Sequence, residues 1–331
     1  VTFRHLFLAT LALAAAYPAS AAEPDIRVMR INDHVVAFYD GRPAEGSVDL
    51  SKATWADHGA NYVGVATFAV HDGDEALVYD TYPSVEQARF VRNWLEQAGI
   101  RHFTVANSHW HLDHVGGNAV YADSTVIATE KTREQLAKHQ ASIENGTLQG
   151  LPAIAPVNLP DIAISTPITV SVGRYSVELR PVNVHSDDGL VAYLPQDRIL
   201  LAGDTLEDTL TFIAAPQSLP EQYRNLAAMK QWGATHILPN HGDPTVIARG
   251  GYSPALIDMT RTYIRRMAEH AHDADFGTQP IERFIPEALA DGTASLWWAY
   301  REAHRENLQK VAGWYKEKPL PNFGHAPDVA P

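Results

Sequence analysis

His109-Trp110-His111-Leu112-Asp113-His114-Val115-Gly116-Gly117 decides the reading of this chain. Three imidazoles and a carboxylate fall within six positions, a density of ligand atoms for which a folded core has no use. Neutral imidazole and carboxylate oxygen are the donors that borderline divalent metals such as zinc favour. His109, His111 and Asp113 alternate, so an extended segment would point all three one way. His114 breaks the alternation and faces elsewhere, which suits a second metal beside the first.

The flanking sequence places this motif on a loop. Upstream, Ile26–Ile31 and His34–Tyr39 read as a hairpin turning at Asn32-Asp33, and Val63–Val70 and Ala76–Tyr79 as two more strands. Arg42–Asn61 reads as a polar surface loop. Ser84 with Gln87 has the form of a capping box, opening a helix whose buried face is Val91, Trp94, Leu95 and Ala98. Phe103–Ala106 is a short strand that runs directly into His109, and Gly116-Gly117 should open the next helix. Downstream, Ile168–Val172 pairs with Tyr175–Leu179, and Leu190–Leu194 with Ile199–Ala202. A helix over 220–232 and a strand at Thr235–Leu238 follow. Helices are expected after Ser253-Pro254 and over Ala294–Tyr315. Strand pairs alternating with helices in both halves imply an α/β fold of two facing sheets with helices outside. The expected organisation is one domain over 23–250 with a helical C-terminal extension, 251–331, packed on it.

Composition narrows the function classes. The formal net charge of −13 repels phosphate backbones, so nucleic acid is not an expected partner and a small-molecule substrate is. Cysteine is absent, which removes disulfides, thiolate ligands and thiol nucleophiles together. Arg4 and His5, the apolar run Leu6 to Tyr17 and the small-residue site Ala19-Ser20-Ala21 read as a cleavable leader over 1–22. That run is short for a membrane span, so a periplasmic or secreted protein without a stable membrane anchor is expected. Oligomeric state is left open.

Three later positions turn the motif into a site. His185 follows the strand Leu179–Val184, Asp204 ends the apolar run Leu201-Ala202-Gly203, and His241 follows Leu238-Pro239-Asn240. Each stands alone at the C-terminal end of an expected strand, where side chains from different strands converge on one rim. Singly, His185 or His241 reads as a hydrogen-bonded loop histidine; with the cluster, both read as ligands. His270, His272 and His304 read as surface residues of helices. Trp110 could wall the site. Trp297, Trp298 and Tyr300 could close a pocket, although aromatics at helical spacing read more readily as core.

His-x-His-x-Asp-His with Gly-Gly, then a distant His, a Gly-Asp and a final His, resembles the metallo-β-lactamase superfamily. The resemblance runs from about Ile26 to Gly242 and includes Leu77-Val78-Tyr79-Asp80-Thr81, similar to the family's early Asp-Thr element. It implies a four-layer αβ/βα sandwich with two divalent metal ions, usually zinc, at one edge. It further implies that His109, His111 and His185 hold the first ion and Asp113, His114 and His241 the second. Asp204 would bridge them beside a nucleophilic hydroxide, which Asp113 would steer or relieve of a proton. Asp80 would orient a ligand histidine from behind, the other reading being an ordinary turn-capping Asp.

Departures from the family's branches narrow the activity. His111 stands where the oxygen-reducing di-iron branch has Glu. Asp204 stands where dedicated β-lactamases have Cys or Ser nearby, although His185-Ser186-Asp187-Asp188 resembles that branch. Thr205-Leu206-Glu207 lacks the Tyr of the acyl-homoserine lactonases. The glyoxalase-II-like thioesterases share the full ligand set but act mainly in the cytosol, and the same export argument weakens a persulfide dioxygenase. The expectation is an exported hydrolase of a small ester, lactone, amide or related bond. A β-lactamase-like enzyme, a glyoxalase-II-like thioesterase and a non-catalytic metal-binding or sensor protein are the alternatives.

Overall fold

Residues that alternate in one strand divide between two cores, and this organises the whole molecule. The computed structural model describes residues 24–323, so the expected leader lies outside the described residues. In β2 (Val35–Asp40), Val35, Ala37 and Tyr39 face one core and Val36 and Phe38 the other. A strand buried on both faces belongs in the middle of a layered α/β fold.

β2 is one strand of a seven-stranded sheet in sequential order. The others are β1 (Arg27–Arg30), β3 (Val65–Asp72), β4 (Glu75–Tyr79), β5 (His102–Ala106), β6 (Thr125–Thr129) and β7 (Ile162–Ile164). The first four strands pair antiparallel, and β4 to β7 pair parallel. The second sheet has five strands. These are β8 (Ile168–Val172), β9 (Tyr175–Val182), β10 (Gly189–Leu194), β11 (Ile199–Gly203) and β12 (His236–Pro239), with β11 and β12 parallel. Helix α1 (Val85–Gln97) covers the outer face of the first sheet through Ala88, Val91 and Leu95, and its Ser84 cap forms as expected.

Between the sheets and beyond the second, one continuous core joins Phe68, Leu77 and Tyr79 to Leu179, Val191 and Leu201. The same core takes in α4 (Leu219–Lys230), α6 (Ala255–Glu269) and α8 (Tyr300–Tyr315). The result is the expected αβ/βα sandwich with helices at the C-terminal end. No helix of the described residues is long and apolar enough to cross a membrane.

Several local expectations are corrected. The helix expected to open at Gly116-Gly117 lies inside the motif itself, as α2 (Leu112–Val115), and only a short turn, Asn118–Tyr121, follows. The glycines serve close approach instead. A Cβ on Gly117 would meet the Thr81 carbonyl oxygen at 2.2 Å, and one on Gly116 the Pro83 carbonyl oxygen at 2.3 Å. The motif can therefore lie against the loop after β4. Helix α3 (Glu130–Glu144) and strands β6 and β7 were not expected, whereas the short helices α5 (Pro244–Ile247) and α7 (Pro286–Asp291) fall beyond His241, where the chain reads as mainly helical. The last helix starts at Tyr300 rather than Ala294, because Ser295 and Trp297 bond to Asp208 and Thr209 instead of continuing a helix. His304 is buried, not a surface residue: it bonds Tyr263 and the Gln279 carbonyl.

Candidate metal centre

Each residue of the centre leaves the C-terminal end of a strand. Asp80 follows β4, His109 and the motif follow β5, His185 follows β9, Asp204 follows β11 and His241 follows β12. Four of these strand ends bring seven donors into two groups, His109, His111, His185 and Asp204, and Asp113, His114, Asp204 and His241. In each group the donor atoms lie within 4.8 Å of one another. Every site residue named from the sequence is at this rim.

The expected alternation within the motif does not hold. His111 has extended backbone and precedes α2, so the chain turns before Asp113. Asp113 thus joins His114 and His241 rather than His109 and His111.

The spacing suits a cation. Tetrahedral ligands about 2.1 Å from a zinc ion lie roughly 3.4 Å apart. His185 Nε2 is 3.1 Å from His111 Nδ1, and the Asp204 Oδ2 atom is 3.6 Å from His109 Nε2 and 3.7 Å from His185 Nε2. In the other group His241 Nε2 lies 3.3 Å from both Asp113 Oδ2 and Asp204 Oδ1. His109 Nε2 and Asp204 Oδ1 are buried without a hydrogen-bond partner, although buried polar atoms are normally satisfied. A divalent cation in each group would satisfy them, and the donor set fits zinc or a similar ion.

The outer nitrogens of the imidazoles are held in turn. His114 Nδ1 is 3.1 Å from Asp80 Oδ2, His109 Nδ1 is 2.9 Å from Ser108 Oγ, and His241 Nδ1 is 2.6 Å from the Gly64 carbonyl oxygen. Asp80 also accepts from the Ser108 amide and from Asn240 Nδ2, both at 2.6 Å. It therefore ties three strand ends together, which is more than capping a turn. Asp188 does the same between the ligand loops, accepting from the Trp110 amide and from Thr132 Oγ1, both at 2.9 Å. Such outer contacts fix ring orientation and tautomer.

Charge is divided between the groups. Burial drives His109 and His111 down from the ordinary imidazole range and His185 down to about 3, leaving neutral rings able to donate lone pairs. Burial opposes charge on His114 and His241 as well, but Asp113 and Asp204 reverse it and hold both rings well above the ordinary value. Asp113 and Asp204 are held well below the carboxylate range despite burial, chiefly by His114 and then His241. In the second group protons on His114 and His241 thus balance the two carboxylates, and a bound cation would displace those protons.

A cleft of about 700 Å³ opens over the centre, with His111, Asp113, His185 and His241 at its floor. Its walls include Trp55, Tyr62, Phe212 and Trp298, and Glu207 lies deep within it. Burial, with the nearby Asp204 charge, pushes the Glu207 carboxyl up to about 8. The Tyr300 hydroxyl donates to it at 3.0 Å, and His185 Nδ1 lies 3.7 Å away. The stretch 42–61, expected to be a surface loop, carries Trp55 and His58 into this wall; aromatic residues inside a polar loop were the available signal. Trp298 lines the cleft as the wall reading expects, Tyr300 both lines it and is buried in the main core, and Trp297 packs against that core. Trp297 also donates from Nε1 to the Tyr62 carbonyl at 2.6 Å. Trp110 stacks on His139, 5.3 Å away, in a separate small core.

The fold and rim together define a metallohydrolase-like α/β sandwich, and comparison with known proteins agrees. The profile of the metallo-beta-lactamase superfamily matches residues 61–250, more than half of the chain, and the chain belongs to that superfamily. A hydroxyacylglutathione hydrolase of Erythrobacter litoralis (strain HTCC2594) is 27% identical over 147 residues, 42% of this chain. That match spans 47% of the relative's length. Among solved structures, the metallo-beta-lactamase from Pontibacter korlensis superposes with a TM-score of 0.53 at 20% identity, over 71% of this chain and 96% of its own. The VMB-1 structure at pH 5.5 gives 0.56 at 18% identity, over 75% and 100%. At these identities the structural likeness concerns the fold.

Proposed function

We propose that this protein is an exported metal-dependent hydrolase of small esters, lactones, amides or related bonds, with two divalent ions, zinc by preference. His109, His111 and His185 would hold one ion, Asp113, His114 and His241 the other, and Asp204 would serve both. The carrying observation is that Asp204 belongs to both donor groups. When bound, a pair of divalent cations supplies Lewis acidity and makes water a competent nucleophile near neutral pH.

The chain's own residues supply the rest. Three neutral imidazoles and two low-lying carboxylates are set before any substrate arrives, so little reorganisation is needed during reaction. Asp113 Oδ2, 3.1 Å from His114 Nε2 and at the cleft floor, is placed to orient water or take up its proton. Asp80 holds His114, and the Gly64 carbonyl holds His241, in one tautomer. Export rests on the leader pattern in residues 1–22, and N-terminal sequencing of protein recovered from the periplasm tests it.

The test of the hydrolase reading is metal analysis together with turnover on zinc-loaded protein. Two ions per chain and metal-dependent cleavage of at least one ester, lactone or thioester are expected. Two bound ions with no turnover across ester, lactone, thioester and β-lactam panels would establish the binding or sensor reading instead.

A further inference from the structure

The cleft walls bear on what can be cleaved. Resting on the hydrolase reading above, we infer that the site takes carboxylate-free esters or lactones with an aromatic or apolar body. The apolar side of the argument is geometric. Tyr62 packs on Trp298 with ring centroids 5.5 Å apart, and His58 meets Tyr62 edge-on at 5.4 Å. The Trp298 Nε1 atom is spent on the Pro43 carbonyl at 2.9 Å, and Trp55 Nε1 on the Pro152 carbonyl at 2.9 Å. These indoles therefore offer flat apolar surface rather than hydrogen bonds.

The polar side concerns charge. Glu45, Glu302 and Glu306 line the cleft, and Arg301 is the cation among its lining residues. Arg301 is held by Glu45 at 2.6 Å. Lys310, one turn beyond Glu306 on α8, has its ammonium 3.7 Å above the Phe212 ring and is not part of the lining. Glu302 is itself paired with Arg305, and a substrate carboxylate held away from the ions at the floor would meet these glutamates with no uncommitted cation among the lining residues. Both β-lactam antibiotics and glutathione thioesters carry such carboxylates, so the walls disfavour both substrate classes while leaving the chemistry at the floor unchanged. Like charges brought together in a binding site lower affinity, and in the direction that excludes the wrong partner.

A matched pair of esters tests this: methyl 3-phenylpropanoate and its para-carboxylated counterpart, assayed with zinc-loaded protein. The neutral ester should have a kcat/KM at least about tenfold higher. The uncleavable ketones 4-phenylbutan-2-one and its para-carboxylated counterpart should bind in the same order by calorimetry. Equal or better handling of the carboxylated member in either measurement overturns the inference. Glu306→Lys places a cation in the half-buried wall, and the ratio of the two kcat/KM values should move about tenfold toward the carboxylated ester. An unmoved ratio also counts against it. If neither ester is cleaved, the hydrolase reading fails for these substrates, while the ketone affinities still decide the class of molecule the cleft accepts.

Discussion

Arg42 is the residue whose removal most directly tests how the cleft is held. Its Nη2 donates to Asp208 Oδ2 at 2.8 Å, with side-chain exposures of 4% and 1%, and its guanidinium lies 4.7 Å over the Trp297 ring. Burial works against the Arg42 charge, and Asp208 more than reverses it, so the group is held above its ordinary value. Asp208 also accepts from the Ser295 amide at 3.0 Å and the Ser295 hydroxyl at 2.9 Å. One ion pair thus fastens the loop after β2, the loop after β11 and the segment before α8. Arg42→Met leaves Asp208 buried without its cation, a loss of about 3–5 kcal/mol. The Thr209 and Ser295 donors remain, which puts the cost near the lower end of that range, and the lost ring contact adds about 1 kcal/mol.

The expected destabilisation is therefore about 4 kcal/mol in urea unfolding of the metal-free protein. The double variant with Asp208→Ala should cost clearly less than the sum of the two single variants, because each single change strands the other partner. Metal content should hold. Asp204 is anchored separately, its carbonyl accepting from Thr211 Oγ1 at 2.8 Å, and the His241 carbonyl accepts from the Asp208 amide at 3.1 Å. The functional effect should appear in KM, since Trp297 and Trp298 lose their support while the donors stay. A cost under about 1 kcal/mol, or strict additivity in the cycle, would refute the reasoning.

Other perturbations address the centre and the core. Asp80→Asn turns an amide toward the Asn240 amide and the His114 ring, and zinc affinity should fall about 10–100-fold in competition titrations with a chelator. Gly64→Ala should lower metal content and stability together: its φ is +79° and the new Cβ would fall 1.9 Å from the Tyr39 hydroxyl, shifting the carbonyl that holds His241. His111→Ala should lose one ion and Asp204→Ala more than one by mass spectrometry, and equal retention in both would contradict a shared carboxylate. Burial lowers His304 below its ordinary value of 6.5, so its contribution to stability is present above pH 6.5 and is lost as pH falls through the folded-state value. Unfolding of His304→Gln should accordingly show a shallower decline below pH 6.5 than the wild type, and parallel curves would exclude that linkage.

The residues of the rim were legible because metal chemistry restricts them to a few types in fixed order, each at a strand end. The strands were legible where both faces are buried, as in β2, β3 and β10. What was missed lacks that signal. Helix α3 buries only Thr132, Leu136 and Ile143, so its sequence carries little periodicity. His304 looked like a surface histidine because its partners, Tyr263 and the Gln279 carbonyl, are distant in sequence. The alternation in the motif misled because Leu112 begins a helix that adds no apolar repeat beyond four residues. Glu207 drew no reading of its own from the sequence, since its meaning depends on Tyr300 arriving from the far end of the chain.

That last case explains why the family is readable and the substrate is not. The superfamily profile ends at residue 250, and all seven candidate ligands fall inside it. Trp298, Tyr300, Arg301, Glu302 and Glu306, which shape one wall of the cleft, fall outside it. The opposite wall comes from 45–63, of which only the last residues are matched. The two walls meet through Trp297 on the Tyr62 carbonyl, Trp298 on the Pro43 carbonyl and Arg42 on Asp208. Selectivity is thus built from segments that a shared metal centre does not constrain. Exchanging the 293–306 segment should therefore move substrate preference while leaving metal stoichiometry alone, whereas changes at Asp80 or Gly64 should do the reverse.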